Sequence, residues 1–197
     1  MFCHLNYKVD KTYLRKYFYD HYESGEWHRF DPPKLMWWKL FVYDDVVKNI
    51  MKDLGIDKMN VKPRFSFQLP HTTLQEHLDY QRIVGINFNL EPSTTPDLHI
   101  HGKDYPYEAC LADVGAVGHS VESVPYERLI LKFAIREPYN TIYDALESRG
   151  LIDHEKTTKI NPSYESWEST ISPQDERYLT GKYLANQLLQ YKSCSDK

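Results

Sequence analysis

Nine histidines stand among the 197 residues of the chain, and neutral imidazole is both the commonest metal ligand and a frequent general base. Five of them, His71, His77, His99, His101 and His119, fall in one central stretch. Within it, Leu69-Pro70-His71-Thr72-Thr73-Leu74-Gln75-Glu76-His77-Leu78-Asp79 holds the pattern His-x-Asp. Residues i and i+2 of an extended chain project to the same side, so His77 and Asp79 can converge on one ion. A third ligand has to come from elsewhere. Forty-two residues after His77 stands His119, in Val117-Gly118-His119-Ser120-Val121. Two imidazoles and one carboxylate on one side of a metal, with the other side open, make the site type of non-haem Fe(II) oxygenases. His4, His21, His28 and His154 have no partner at ligand spacing.

Nine residues beyond His119 comes Arg128, in Glu127-Arg128-Leu129-Ile130-Leu131-Lys132-Phe133. On a strand, Arg128 and Lys132 share the face opposite Leu129, Leu131 and Phe133. In a double-layered barrel that face is turned inward, where a guanidinium needs an anion; a bidentate carboxylate would serve. Lys132 is the reserve candidate for the same task. An ion pair of Arg128 with Glu122 or Glu127 at a sheet edge is the alternative that the strand alone leaves open.

The elements that must position these residues follow from periodicity. Phe65, Phe67 and Leu69 alternate with Arg64, Ser66 and Gln68, and Ile86, Phe88 and Leu90 alternate with Asn87 and Asn89. With the stretch 128–135 these read as strands, and shorter candidates lie near 74–79, 97–102, 106–113 and 117–122. Short strands at this spacing, uninterrupted by a helical pattern, predict a sandwich or barrel. Before them, Asp10 caps a predicted helix carrying Leu14 and Phe18 that Gly25 ends. A loop rich in Pro and Trp follows at 26–39, and Asp44 or Asp45 opens a second helix that Gly55 ends. After them, Asn140 caps a third helix that stops at Gly150, and Ser172-Pro173 starts a last one containing Leu184 and Leu188. The expected organisation is a single domain over 1–197, with a β core at about 61–137 and helical flanks at 9–55 and 139–191.

Composition sets outer limits. Lys and Arg number 24 against 28 Asp and Glu, for a net charge of -4 without a basic patch, so neither nucleic acid nor a membrane surface is an expected partner. Hydrophobic residues make up 41%, which suits a globular domain large enough to need no structural metal. Three cysteines, Cys3, Cys110 and Cys194, lie far apart in no ligand spacing, and no signal-peptide pattern opens the chain. The cytoplasm is the expected location.

Taken in order, these motifs are similar to those of the Fe(II)- and 2-oxoglutarate-dependent oxygenases. The likeness is strongest to small phage-type and aspartyl/asparaginyl-hydroxylase-like members. It rests on Leu-Pro-x-x-Thr leading into His77-x-Asp79, on the strand Ile86-Asn87-Phe88-Asn89-Leu90, and on His119 and Arg128; it covers roughly residues 65–135. The resemblance implies a mainly β fold, the double-stranded β-helix or jelly roll of cupin-like proteins. It implies Fe(II) held by His77, Asp79 and His119, and 2-oxoglutarate as co-substrate, its far carboxylate on Arg128. Asn87 would support a carboxylate or ligand from the neighbouring strand, and Arg82 is a further supporting candidate. Many relatives carry Ser or Thr two residues after the arginine, where this chain has Ile130. The implied activity is hydroxylation of a small molecule or a peptide side chain. Two other readings stay open on sequence: a cupin-type metal enzyme of another reaction class using His99 and His101, and a non-catalytic jelly-roll binding module.

Overall fold

The computed structural model describes residues 2–24, 26–30, 35–77, 79, 84–91, 97–100, 103–115 and 117–157, without the side chains of 26–30, 35–39, 75–77 and 97. Eleven strands and three α-helices run through them: β1 (Phe2–His4), α1 (Lys11–Asp20), β2 (Glu26–Phe30), β3 (Leu35–Phe41), α2 (Asp45–Asp53), β4 (Val61–Gln68), β5 (Leu74–His77), β6 (Val84–Asn89), β7 (Asp97–Ile100), β8 (Lys103–Pro106), β9 (Ala109–Ala112), β10 (His119–Val121), β11 (Arg128–Ile135) and α3 (Tyr139–Glu147). The predicted last helix lies outside the described residues, as do Arg82, His101 and Cys194. Among the described residues no helix is long and apolar enough to cross a membrane.

Two antiparallel sheets form, one ordered β1-β9-β6-β11-β4-β3-β2 and the other β5-β10-β7-β8. From β4 to β11 the chain passes back and forth between them, which is the winding of a double-stranded β-helix. The fold class is therefore the expected one, mainly β and jelly-roll.

The larger sheet is sandwiched. Phe65, Phe67, Phe88, Leu129, Leu131 and Phe133 on one face join Leu14 and Phe18 of α1, Val47 and Ile50 of α2, and Ile142 and Leu146 of α3 in one buried cluster. Each such side chain contributes about 1.5–3 kcal/mol by leaving water. The other face turns toward the smaller sheet: Cys110, Ala112 and Ile130 meet Leu98, Ile100 and Val121 in a second cluster. Alternation along β4, β6 and β11 thus sends its aromatic residues to the helices and its polar ones into the jelly-roll interior.

The helix starts follow side-chain chemistry. Asp10 accepts the Tyr13 N–H at 2.9 Å and Asp44 accepts the Val46 N–H at 2.8 Å, each satisfying a donor that the first turn leaves over. Gly55 follows α2 at φ +71°, a conformation that a side chain would strain. Helix α3 departs from expectation, beginning at Tyr139 with Pro138 as its cap and not at Asn140. Proline fixes φ near the helical value, and its carbonyl accepts the Thr141 N–H at 3.1 Å, so the helix starts earlier.

The predicted loop at 26–39 is also corrected. Residues of β2 and β3 pair in an antiparallel hairpin, Trp27 opposite Trp38, and β3 extends the larger sheet by pairing with β4. Aromatic residues favour strands whatever their alternation, and Pro32-Pro33 falls in the connection between these two. With β1, the hairpin carries the sheet into the flank that the sequence presents as helical.

Candidate metal centre and the polar wall of the jelly roll

His119 opens β10, where its backbone is flanked by His77 of β5 and Ile100 of β7. Directly opposed positions on antiparallel strands share one face of the sheet. The His77 side chain lies outside the described residues. The register of β10 against β5 shifts between His119 and Val121, the kind of irregularity that re-aims a side chain.

One short turn positions both other members of the expected trio. The turn at 113–117 is closed by the Val117 N–H donating to the Asp113 carbonyl at 3.0 Å. Its Val114 carbonyl accepts the Asp79 N–H at 2.9 Å, and its Val117 carbonyl lies 3.2 Å from His119 Nδ1. Donation from Nδ1–H to that carbonyl assigns the neutral ring a tautomer with an unprotonated Nε2. That Nε2 lies 3.9 Å from Asp79 Oδ2, with the two side chains 4% and 19% exposed. Two lone-pair acceptors facing each other at this separation repel unless a cation or proton lies between them. Both can sit about 2.1 Å from one transition-metal ion, so the pair fits a metal. Among the described residues no group of three or more His, Cys, Asp or Glu side chains is placed to hold a metal ion. The described part of the expected trio is the pair His119 and Asp79.

The remaining histidines are accounted for differently. His99 falls between the buried Leu98 and Ile100 on β7, hence on the outer face, where its Nδ1 lies 2.8 Å from Asp104 Oδ1. His71 is exposed, adopts φ +58° and donates its backbone N–H to the Val124 carbonyl at 2.8 Å.

The interior face of the larger sheet is unusually polar. Arg128 is 2% exposed and stands opposite Gln68 of β4. Four residues on, Lys132 stands opposite Arg64 of β4 and opposite Asn87 of β6. Ile130 stands between the two cations on this face, opposite the buried Ser66. Ser66, Gln68, Asn87 and Asn89 are all buried. Asn87 adjoins Cys110 of β9 and hydrogen-bonds its thiol, which burial pushes well above the ordinary range despite the opposing pull of the Lys132 charge. Such a thiol is inert as a nucleophile.

Among the polar atoms of this wall that are buried without a hydrogen-bond partner are Arg64 Nε, Gln68 Oε1 and Asn87 Oδ1. Gln68 uses its amide nitrogen to donate to the Thr72 carbonyl at 2.6 Å, which leaves the oxygen facing the interior. Buried polar groups are satisfied in the great majority of cases, and a cluster of exceptions on one wall marks a place for a ligand or ordered water. Arg64 and Gln68 are absent from the sequence-derived site. The signal was the alternation in Arg64-Phe65-Ser66-Phe67-Gln68, the same that singled out Arg128 on β11.

No protein-family model and no curated protein sequence matches the chain. Solved structures do resemble it. A Pseudomonas putida prolyl-4-hydroxylase is similar with a TM-score of 0.54 at 14% identity, over 70% of this chain and 91% of the other. A Trichoplax adhaerens prolyl hydroxylase, in complex with a hypoxia inducible factor peptide fragment, is similar with a TM-score of 0.51 at 10% identity, over 68% and 82%. A predicted oxalate decarboxylase from Thermotoga maritima is similar with a TM-score of 0.40 at 19% identity, over 56% and 90%. At these identities the likeness shows the fold, and chemistry has to be argued from the site.

Proposed function

We propose that this chain is a non-haem Fe(II)- and 2-oxoglutarate-dependent dioxygenase that hydroxylates a small molecule or a peptide side chain. The observation that carries the proposal is the His119–Asp79 pair, two acceptors facing each other at 3.9 Å beside the backbone position of His77. In this reading His77, Asp79 and His119 hold Fe(II) on one side and leave the other open for co-substrate and oxygen. Bound there, the iron and 2-oxoglutarate supply the oxygen activation that no side chain can perform.

The protein's share is binding and orientation. The Val117 carbonyl fixes the His119 ring, and the Val114 carbonyl fixes the backbone of Asp79. Arg128, with Lys132 in reserve, neutralises the far carboxylate of 2-oxoglutarate, and Asn87 offers an acceptor on the same wall. The apolar layer of Leu98, Ile100, Val121 and Ile130 keeps water from the reacting centre. A peptide side chain belongs among the candidate substrates because the Trichoplax prolyl hydroxylase is seen with a peptide fragment. The chain works as a single domain, and its buried free thiols Cys3 and Cys110 suit a reducing cytoplasm.

The test is oxygen-dependent conversion of 2-oxoglutarate to succinate by protein loaded anaerobically with Fe(II). Succinate formed by the unaltered chain and abolished by Asp79→Ala supports the reading. Binding of both metal and 2-oxoglutarate, with no turnover in the presence or absence of candidate substrates, points to a binding module.

A further inference from the structure

The outer face of the smaller sheet sets three chemically active side chains in one row, on the side away from the proposed metal centre. Ser120 of β10 stands directly opposite His99 of β7, and His99 directly opposite Asp104 of β8. All three belong to the outer face. Their chain neighbours Val121, Leu98, Ile100 and Tyr105 pack into the interior cluster, and alternation turns the adjoining residues the other way. The row spans two strand spacings, about 10 Å, with the imidazole in the middle. His99 Nδ1 lies 2.8 Å from Asp104 Oδ1. Donation from Nδ1–H to the carboxylate selects the neutral tautomer whose Nε2 keeps its lone pair. The two nitrogens lie on opposite edges of the ring, so a ring held toward β8 by Nδ1 offers Nε2 to the side of β10, where Ser120 stands. Nucleophile, base and orienting carboxylate in that order are the parts of an activated hydroxyl.

We propose that Ser120, His99 and Asp104 form a second, metal-independent site that transfers the acyl group of small activated esters to water. Ser120 Oγ attacks the ester carbonyl while His99 Nε2 takes the hydroxyl proton; the bond from the carbonyl carbon to the alcohol oxygen breaks, and the alcohol leaves with that proton. Water then attacks the acyl-serine with the same base, releasing the acid and restoring Ser120. Ser120 and His99 are the catalytic residues, and Asp104 is a positioning residue that acts through the ring. Exposure bounds the power of the site. The His99 and Asp104 side chains are 31% and 62% exposed, so water screens the hold of the carboxylate on the imidazolium that forms. Such a site suits esters whose alcohols depart with little help, and not amides. It is independent of the oxygenase reading, since the row faces away from His119 and uses no metal.

The test is reaction of the full chain, kept metal-free with EDTA, with an alkyl fluorophosphonate, from which a serine oxygen displaces fluoride and keeps the phosphonyl group. One phosphonyl group per chain is expected, placed on Ser120 by peptide mass spectrometry, with p-nitrophenyl acetate hydrolysis falling in step with labelling. Ser120→Ala is expected to take no label, and His99→Gln to label about tenfold or more slowly at an unchanged melting temperature. Asp104→Ala is expected to slow labelling severalfold and Asp104→Glu to restore it, a rescue that a merely structural role would not show. No label, a label on another residue, or labelling of Ser120 at full rate in His99→Gln overturns the proposal. Ester hydrolysis undiminished in Ser120→Ala overturns it as well, because a base then acts on the ester without the hydroxyl.

Discussion

His119 and His77 occupy directly opposed positions on β10 and β5, forty-two residues apart in sequence and adjacent in the smaller sheet. This pairing is what the jelly-roll winding accomplishes: it returns a distant lone histidine to the edge of the His-x-Asp segment. Asp79 then lies within 3.9 Å of the His119 ring.

Removing the charge at Arg128 separates co-substrate binding from metal binding. Arg128→Met is expected to leave Mn(II) affinity within about twofold and to weaken 2-oxoglutarate by a factor of ten or more, since a charge-assisted bidentate contact is worth about 1.5–3 kcal/mol. Parallel titrations of Lys132→Met assign the larger share. Tight 2-oxoglutarate binding by both variants contradicts the role given to this wall.

His99 belongs to the outer face, paired with Asp104, away from the proposed metal centre. His99→Ala is therefore expected to retain its full metal content by elemental analysis. Loss of metal on that substitution would transfer the centre to the opposite face of β7 and favour a cupin-type enzyme that uses His99 and His101.

The strands of the β core were legible because one face is apolar and the other mostly polar, even where both are buried: Phe65 and Phe67 alternate with Arg64, Ser66 and Gln68. The β2–β3 hairpin was not, because Trp37-Trp38 sets two large apolar residues side by side and erases the period. Of the candidate site, the pattern of His77, Asp79 and His119 was legible, and so was the face that Arg128 shares with Lys132. Arg64 was passed over because a charged residue on a strand reads as solvated. Only pairing shows that β4 stands beside β11, and so that its polar face is interior too.

Glu91 ties the outer helix to the first turn of β11. One oxygen lies 3.1 Å from the donating Leu129 N–H and 2.8 Å from the Arg15 guanidinium. Glu91→Ala leaves that backbone donor without its acceptor and Arg15 with only the Leu90 carbonyl at 3.5 Å, and is expected to cost about 1–3 kcal/mol in urea unfolding. Arg15→Ala, which removes only the more exposed partner, is expected to cost less. Equal costs would show that the backbone contact contributes nothing.

Burial lowers the pKa of His4 below the ordinary histidine value, against an opposing pull from Asp153. The folded state thus keeps His4 neutral at pH values where the unfolded chain protonates it. Its contribution to stability is complete above about pH 6.5 and is lost as pH falls from there through the folded-state value. His4→Asn is expected to shrink the difference in unfolding free energy between pH 7.5 and pH 5.5. An unchanged difference would show that His4 titrates alike in both states.

Most direct is a titration of the unaltered chain with Mn(II), followed calorimetrically with and without 2-oxoglutarate, beside Asp79→Ala and His119→Ala. One ion per chain is expected, with tighter binding when 2-oxoglutarate is present and at least a tenfold loss of affinity in either variant. No binding by the unaltered chain, or binding that both substitutions leave intact, would contradict the proposed metal centre.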